Sequence, residues 1–294
     1  MDERQAMEQS LPRQESYARM VLRRFCQHKL AVAGAVFLAI VVVCALLAPW
    51  IAPYDPVQIQ DAFGAAPSAK YLLGTDQSGR DVLSRLIYAS RVSLLVGVAS
   101  TGIAMVIGVV LGLVSGYFGG WMDMLLMRIT DMVMAFPYIM LILVVASLVG
   151  PGMWNIIFIL GFLNWPGVAR LVRGNVLAIK ESNYIKAAKV SGLSTPRILF
   201  GQILPNTVAP ILVNATSGIA LAILDEAALS FLSMGVQPPA ASWGNMLNGA
   251  QSLTILTSQP WLWLPPGLAI VLTVLSINFM GDALRDALDP TNTR

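Results

Sequence analysis

Six long apolar runs constrain the fold of this chain more than any other feature. They cover approximately residues 30–52, 92–116, 124–149, 154–172, 207–230 and 262–281. About 20 apolar residues are needed to cross the hydrocarbon core of a bilayer, and each run is of that order. Only backbone that satisfies its own hydrogen bonds is stable in lipid, so runs this long predict helices. The sequence therefore predicts an all-α, polytopic membrane protein with six transmembrane helices.

The charge content supports a lipid-facing surface. Only 12% of the 294 residues are charged, whereas 56% are hydrophobic. A soluble domain carries about 25% charged residues, because its surface must be hydrated. The net charge of +3 is modest and does not indicate nucleic-acid binding. In a membrane protein such an excess reflects Lys and Arg held on the cytoplasmic side, so the expected environment is the bilayer.

Two clusters of basic residues predict the orientation. One precedes the first run and the other lies between runs four and five: Arg4, Arg13, Arg19, Arg23, Arg24 and Lys29, then Arg170, Arg173, Lys180, Lys186, Lys189 and Arg197. Basic loops stay in the cytoplasm, which places both termini and the loop 173–204 inside. We thus divide the chain into residues 1–91 (cytoplasmic tail, first span as an uncleaved anchor, extracytoplasmic segment) and a transmembrane core, 92–294.

Three local patterns refine this topology. Residues 79–91 have near-helical apolar spacing and predict a short amphipathic helix at the outer interface. Pro166 predicts a kink in the fourth span. Residues 205–235 are too long for one perpendicular helix, so we expect a span to about Leu224 and a short continuation over 225–233.

Small residues form a ridge on the second span. They recur at every fourth position: Ser100, Ala104, Gly108, Gly112 and Gly116. Side chains of this size at this spacing let another helix approach closely in lipid, where packing drives association. We predict a helix-packing ridge, whose partner helix the sequence does not identify.

Two adjacent acids, Asp225 and Glu226, follow the fifth apolar run. Ionisable residues at membrane depth are candidates for a transport path or gate. The alternative is that the pair lies at the interface or caps a helix. A proton-coupled secondary transporter would use such acids as titrating groups, although six helices without an inverted repeat fit that class poorly.

Catalytic and metal chemistry are not indicated. The Gly-rich loop that ends in Gly-Lys-Ser/Thr and cradles phosphate does not occur, so ATP hydrolysis is expected in other subunits. His28 is the single histidine, which excludes a paired-histidine zinc site. Cys26 and Cys44 have no metal-binding or disulfide spacing. We expect a non-enzyme without a cofactor of its own.

The loop 173–204 has the properties of a cytoplasmic docking element. A basic amphipathic helix is expected to end at Gly192, which can adopt the left-handed cap, and Pro196 suits the first turn of the next segment. This loop resembles the EAA motif of ABC-importer permeases, with five positions at the right spacing: Ala187, Ala188, Gly192, Leu204 and Pro205. Lys186 replaces the glutamate of the motif and Gln202 its isoleucine. Lys186 is therefore expected either to be solvated or to form an ion pair with an acidic residue in a groove of the ATPase partner.

Further segments resemble the DppC/OppC-like inner permeases of dipeptide and oligopeptide importers. They are LGTDQSGRDVLSRL (73–86), GYFGGWMDMLLMRITD (116–131), AALSFLSMGVQPPAASWGNML (227–247) and MGDALRDALDP (280–290). The resemblance implies a type I ABC-importer permease in the bacterial inner membrane. Its expected partners are a homologous second permease, two ATPase subunits that hold ATP and Mg, and an extracytoplasmic solute-binding protein. Nickel, metallophore and glutathione importers share the pattern, so these cargoes stay open beside peptides.

Overall fold

The computed structural model describes residues 17–288. Arg4 and Arg13 of the first basic cluster, and the last residues of the 280–290 segment, lie outside the described part. Thirteen α-helices follow one another within it: α1 Tyr17–Gln27, α2 Lys29–Leu46, α3 Ala48–Ile51, α4 Val82–Phe118, α5 Gly120–Met134, α6 Tyr138–Val149, α7 Met153–Lys180, α8 Asn183–Val190, α9 Thr195–Ile198, α10 Leu204–Phe231, α11 Trp243–Leu247, α12 Leu253–Ser258 and α13 Pro260–Leu288. A π-helical turn, Leu199–Ile203, joins α9 to α10, and a 3₁₀ turn, Asn248–Gln251, follows α11.

The predicted all-α membrane fold is confirmed. Across residues 17–288, five helical segments are long and apolar enough to span a bilayer: α2, α4, α7, the unbroken stretch Thr195–Phe231 and α13. The bent pair α5–α6 brings the number to six if it forms one span. That third span is not the single straight helix the apolar run suggested, because its two halves meet at 83°. Pro137, which lacks a backbone N–H, caps the start of α6 at this break.

Three sequence-based boundaries were wrong. Residues 82–91 are the first turns of α4 and not a separate interfacial helix, because Asp81 caps a helix that continues to Phe118. The boundary at 91/92 therefore lies inside a helix. The fourth span extends through Pro166 to Lys180 and leaves a shorter loop than 173–204. Helix α10 continues to Phe231 without the break expected after Leu224.

The segment between α3 and α4 is folded compactly. The Thr75 hydroxyl donates to Ala62 O (2.7 Å) and accepts from the Ala65 N–H (2.9 Å), which ties the two sides of the segment together. Asp76 accepts from the Arg80 guanidinium at 2.8 Å, and buried Arg85 lies 3.5 Å from the same carboxylate. The Asp81 carboxylate then caps α4 by accepting from the Ser84 N–H (2.7 Å). These side chains position the start of α4.

Helix α7 is the most buried of the five spanning segments. One apolar cluster packs its first half against α4, α6 and α10, around fully buried Leu160. A second cluster packs its last half against α4 and the loop that follows α7, around Val172, Val176 and Ile185. The two clusters hold one side of α7 and leave the opposite side less covered.

Candidate functional site

A seam between α4 and α7 contains the ridge of small residues. A Cβ built on Gly108, Gly112 or Gly116 would come within 2.5–2.7 Å of the Cβ of Val168, Val172 or Val176, respectively. Ser100 and Ala104 continue this line and are buried as well. Real Cβ atoms do not approach so closely, so the glycines let the valine ridge of α7 reach the α4 backbone. We call this contact the seam.

Three neighbouring cavities border α7 beside the seam, and the middle one is lined by Ala104 and Val168 of the seam itself. The first cavity, of about 470 Å³, lies between α7, α10 and the end of α13 and includes Asn214 and Ser217. The next, of about 200 Å³, shares these two residues and adds Asn164 and Gly167. The third, of about 280 Å³, shares Asn164 and Gly167 and reaches Tyr138 on α6. We call this row of neighbouring cavities the groove; it runs along α7 and α10 and contains polar side chains in otherwise apolar spans.

Asp225 lies beside the Tyr138 end of the groove, to which it is hydrogen-bonded. The Tyr138 hydroxyl donates to Asp225 Oδ2 at 2.7 Å, and Asn164 Nδ2 donates to the Tyr138 oxygen at 2.8 Å. Tyr138 is 38% exposed, and both hydrogen bonds are open to the surface. Three separate helices, α6, α7 and α10, thus meet in a polar cluster on the open side of the chain.

Glu226, the next residue, is completely enclosed. Ser93 of α4 donates to Oε2 at 2.9 Å, and Ser230, one turn along α10, donates to Oε1 at 2.7 Å. Each hydroxyl also accepts a backbone N–H, from Trp243 and Val236 respectively. Both hydroxyl protons therefore point at Glu226, which fastens α10 to α4 and to the segment 232–243 that follows α10. Only Asp225 of the two acids is accessible.

The loop that follows α7 is anchored through one face of α8. Ile185 is fully buried in the cluster at the inner end of the seam, and half-buried Ala188 packs against that cluster. The opposite face presents Tyr184, Ala187 and Val190, of which Val190 is 90% exposed. Ala187 and Ala188 therefore lie on different faces of one short helix, one outward and one inward.

Gly192 ends α8 in a Schellman motif. Its φ is +79°, its N–H donates to Lys189 O (3.0 Å), and the Leu193 N–H donates to Ala188 O (3.1 Å). A residue with a side chain is strained at such a φ, which favours glycine. A Cβ there would meet open space, so the requirement for glycine comes from the backbone and not from crowding.

The remaining motif positions are Lys186, Leu204 and Pro205. Lys186 lies 3.2 Å from Glu181 of its own chain, and both side chains are largely exposed. Leu204 and Pro205 open α10 directly after the π turn. A proline ring clashes with the carbonyl four residues earlier in a regular α-helix, and the wider π turn relieves that contact.

An ion pair beneath the seam was not foreseen from the sequence. Arg173 of α7 binds Asp123 of α5 through two bonds of 2.6 and 2.7 Å, and Ser115 of α4 donates to the same carboxylate. Lys189 of α8 lies 5.1 Å from the Tyr117 ring, beside this junction. The inner ends of α4, α5, α7 and α8 are thereby tied together.

Comparison with protein families agrees with this architecture. Residues 108–294 match the model of the binding-protein-dependent transport system inner membrane component, and residues 16–67 match the N-terminal TM domain of oligopeptide transport permease C. The chain belongs to this permease family. It is accordingly a multi-pass inner-membrane permease of the ABC importers, which act with ATP-binding and solute-binding proteins.

Individual relatives match over nearly their whole length. The chain is 42% identical to the di/tripeptide transport system permease protein DppC of Pseudomonas aeruginosa, covering 90% of this chain and 89% of that protein. It is also 42% identical to the glutathione transport system permease protein GsiD of Pectobacterium atrosepticum, with coverages of 91% and 89%. The inward-facing MetNI methionine ABC transporter has a TM-score of 0.57 at 17% identity, over 70% of this chain and 97% of that one. The permease has the type I ABC-importer fold.

Sequence reasoning found Asp225 but not its partners. Tyr138 and Asn164 are 87 and 61 positions away from Asp225 in the chain, and nothing in their local pattern connects them. The available signal was the asparagine itself, a polar residue within the fourth apolar run. The hydroxyl partners of Glu226 carried no signal, because serine is common in membrane helices.

Proposed function

We propose that this permease is one half of the translocation path of an ATP-driven importer of dipeptides and oligopeptides. The second half is a homologous permease subunit, and two ATPase subunits bind on the cytoplasmic side. The observation that carries the proposal is the groove, since its three cavities share residues and continue from Arg285 near the end of α13 to Tyr138. An importer requires a polar passage at membrane depth. A helix bundle that transports nothing has no need of one.

The exposed face of α8 supports the position of the ATPase contact. Val190 and Tyr184 are apolar or aromatic side chains on a basic loop, and an exposed apolar patch within a polar rim is typical of a protein–protein contact. Ala187 lies between them and is short enough for close approach. Gly192, Leu204 and Pro205 set the directions in which the chain enters and leaves this element. We therefore assign coupling to the loop from Lys186 to Pro205.

The basic residues support a cytoplasmic position for both termini. Arg170, Arg173 and Lys180 lie in the last half of α7, and α8 follows directly. The segment 53–81 and the loop between α10 and α13 then lie outside, where a solute-binding protein delivers its cargo. In this orientation the groove crosses from the outer leaflet to the cytoplasm.

Transport in a reconstituted system tests the proposal. The permease is co-expressed with its partner subunits, placed in proteoliposomes and supplied with loaded binding protein. We expect uptake of a labelled dipeptide with ATP inside, and none with a proton gradient alone. Uptake driven by the gradient without ATP would contradict the proposal.

Glutathione is a second candidate cargo. The relative named as a glutathione permease is as similar to this chain as the one named for di- and tripeptides, each at 42% identity. Competition between labelled dipeptide and glutathione in the same proteoliposomes decides between them. Nickel or a metal chelate is tested by the same competition.

A further inference from the structure

We infer that Asp225, held by Tyr138 and Asn164, forms a transient binding site for the α-ammonium group of the transported peptide. The inference rests on the proposed function, because it takes the groove to be the path of the cargo. It adds a specific recognition step and two residues, Tyr138 and Asn164, to that path. The reasons are the charge, the accessibility and the hydrogen-bonding capacity of the cluster.

Asp225 has no cationic partner within the described part of the chain. The ion pairs between described side chains use other acids, namely Asp76, Asp123, Asp131, Glu181 and Asp286. Its own bond is to the neutral Tyr138 hydroxyl. A carboxylate at membrane depth is costly unless it meets a cation or water. The charge of Asp225 is therefore available to a cation that arrives along the groove.

The cluster around Asp225 borders a cavity, whereas the neighbouring Glu226 is enclosed. Tyr138 and Asn164 both border the 280 Å³ cavity. A Cβ added to Gly167, one turn beyond Asn164 in the same cavity wall, would meet no atom within 4 Å. Glu226, by contrast, is 0% exposed and its two oxygens are occupied by Ser93 and Ser230. Of the two acids, only Asp225 is hydrogen-bonded to a residue that lines this cavity.

The hydrogen bonds leave acceptors where an ammonium group needs them. Tyr138 donates to Oδ2 of Asp225, so Oδ1 is left to accept. Asn164 uses its Nδ2 toward Tyr138, so its Oδ1 is left to accept as well. An ammonium group has three N–H donors and no acceptor, which complements two oxygens of this kind. Passage requires weak binding, and a single carboxylate with one amide provides it.

Three variants of the intact complex test the inference. Uptake of a free-amine dipeptide is measured at saturating loaded binding protein in the wild type and in Asp225→Asn, Asp225→Glu and Tyr138→Phe. Loss of the charge should lower uptake about tenfold or more, as for a hydrogen bond to a charged group. Asp225→Glu should recover most of it. Tyr138→Phe keeps the carboxylate and should stay within about threefold of wild type.

Two outcomes would show that Asp225 has a structural role and does not bind the ligand. If Asp225 only fastens α10 to α6, Tyr138→Phe, which removes the hydrogen bond, will lower uptake at least as much as Asp225→Asn, whose amide oxygen can still accept from the tyrosine hydroxyl. If it pairs with a cation of the second permease, Asp225→Asn will reduce co-purification of the subunits. Either result overturns the inference, as does Asp225→Asn uptake within twofold of wild type. Wild-type uptake is measured first: its absence would refute the proposed function, and its presence lets the variants judge the inference alone.

Discussion

Helix α7 borders two adjoining but contrasting environments, the seam and the groove, and both are lined by glycine. In the seam, Gly112 of α4 has no room for a Cβ, because Ala169 O and Val172 Cβ would lie 2.7 Å away. In the groove, Gly167 of α7 has nothing within 4 Å of an added Cβ. A small residue in a membrane helix can therefore mean either the closest contact or open space. Only the facing element distinguishes them.

The two environments divide the work of an importer between them. The seam ends at the cluster that anchors Ile185 of α8, and in the proposed function movement of the loop after α7 is transmitted through this cluster to α7 and α4. In the proposed function, the cargo contacts the groove, which is lined by Asn164 and Ser217 and has Asp225 beside its Tyr138 end. In the proposed function, the seam transmits force and the groove carries cargo. The following predictions are ordered by their expected effect on the folded chain.

Gly112→Leu should have the largest effect. A leucine there overlaps the backbone of α7, and overpacking a close contact costs about 1–3 kcal/mol or more. We expect loss of assembly with the partner subunits, measured by co-purification and by fluorescence-detected size exclusion. Gly167→Leu should assemble normally, because its side chain enters the groove, and should instead reduce uptake.

Gly102→Leu is the matched control. Gly102 lies on the exposed apolar face of α4, and an added Cβ meets nothing within 4 Å. It should assemble and transport as the wild type does. If Gly112→Leu assembled equally well, the seam would not be a tight contact; if Gly167→Leu transported normally, the groove would not be a path.

The seam could be predicted from the sequence further than the groove could. Gly108, Gly112 and Gly116 repeat within one helix, and such periodicity is visible in the chain itself. Their partners Val168, Val172 and Val176 have the same four-residue spacing, but valine is too common in spans to indicate a contact. The groove exists only where α6, α7 and α10 converge, and no local pattern contains that information. The break before Tyr138 had one signal, Pro137, within an otherwise continuous apolar run.

Glu226→Gln should have the next largest effect, which is a loss of stability. Asp225→Asn, at the neighbouring residue, should not cause this loss. Ser93 and Ser230 both donate to the carboxylate, and a glutamine amide offers one acceptor oxygen where two are needed. An unsatisfied buried hydroxyl costs about 1–3 kcal/mol. The melting temperature of the purified complex should fall for Glu226→Gln and stay unchanged for Asp225→Asn. The reverse order would contradict the assignment of Glu226 to structure and of Asp225 to the groove.

Gly192→Val should affect coupling more than stability. The φ of +79° strains a β-branched residue by on the order of 1–2 kcal/mol, which is local to the end of α8. We expect insertion and assembly to persist while ATP hydrolysis no longer responds to loaded binding protein. Ala187→Trp, on the exposed face, should act in the same way. Gly201→Ala is the control, since Gly201 has open space and an ordinary φ; normal coupling in Gly192→Val would reduce this loop to a linker.

Lys186→Ala should have the smallest effect. Its ion pair with Glu181 spans 3.2 Å between largely exposed side chains, and such pairs contribute at most about 1 kcal/mol. The sequence left two roles open for Lys186, solvation or an ion pair with a partner subunit. The structure shows an ion pair with Glu181 of its own chain. Uptake and co-purification should both remain near wild type. A strong loss of ATPase binding would show that Lys186 reaches an acidic group of the partner.

Cysteine accessibility tests most directly whether one side of α7 is a water-filled path. In a Cys26→Ser, Cys44→Ser background, Ser217→Cys places a thiol in the groove, and Val106→Cys places one on the exposed apolar face of α4. The complex is labelled in membranes with a charged maleimide, with and without ATP and vanadate. We predict that Ser217→Cys reacts at a rate that changes between the two conditions, and that Val106→Cys stays unlabelled in both. Equal labelling of the two positions, or no reaction of Ser217→Cys in either condition, would contradict the account.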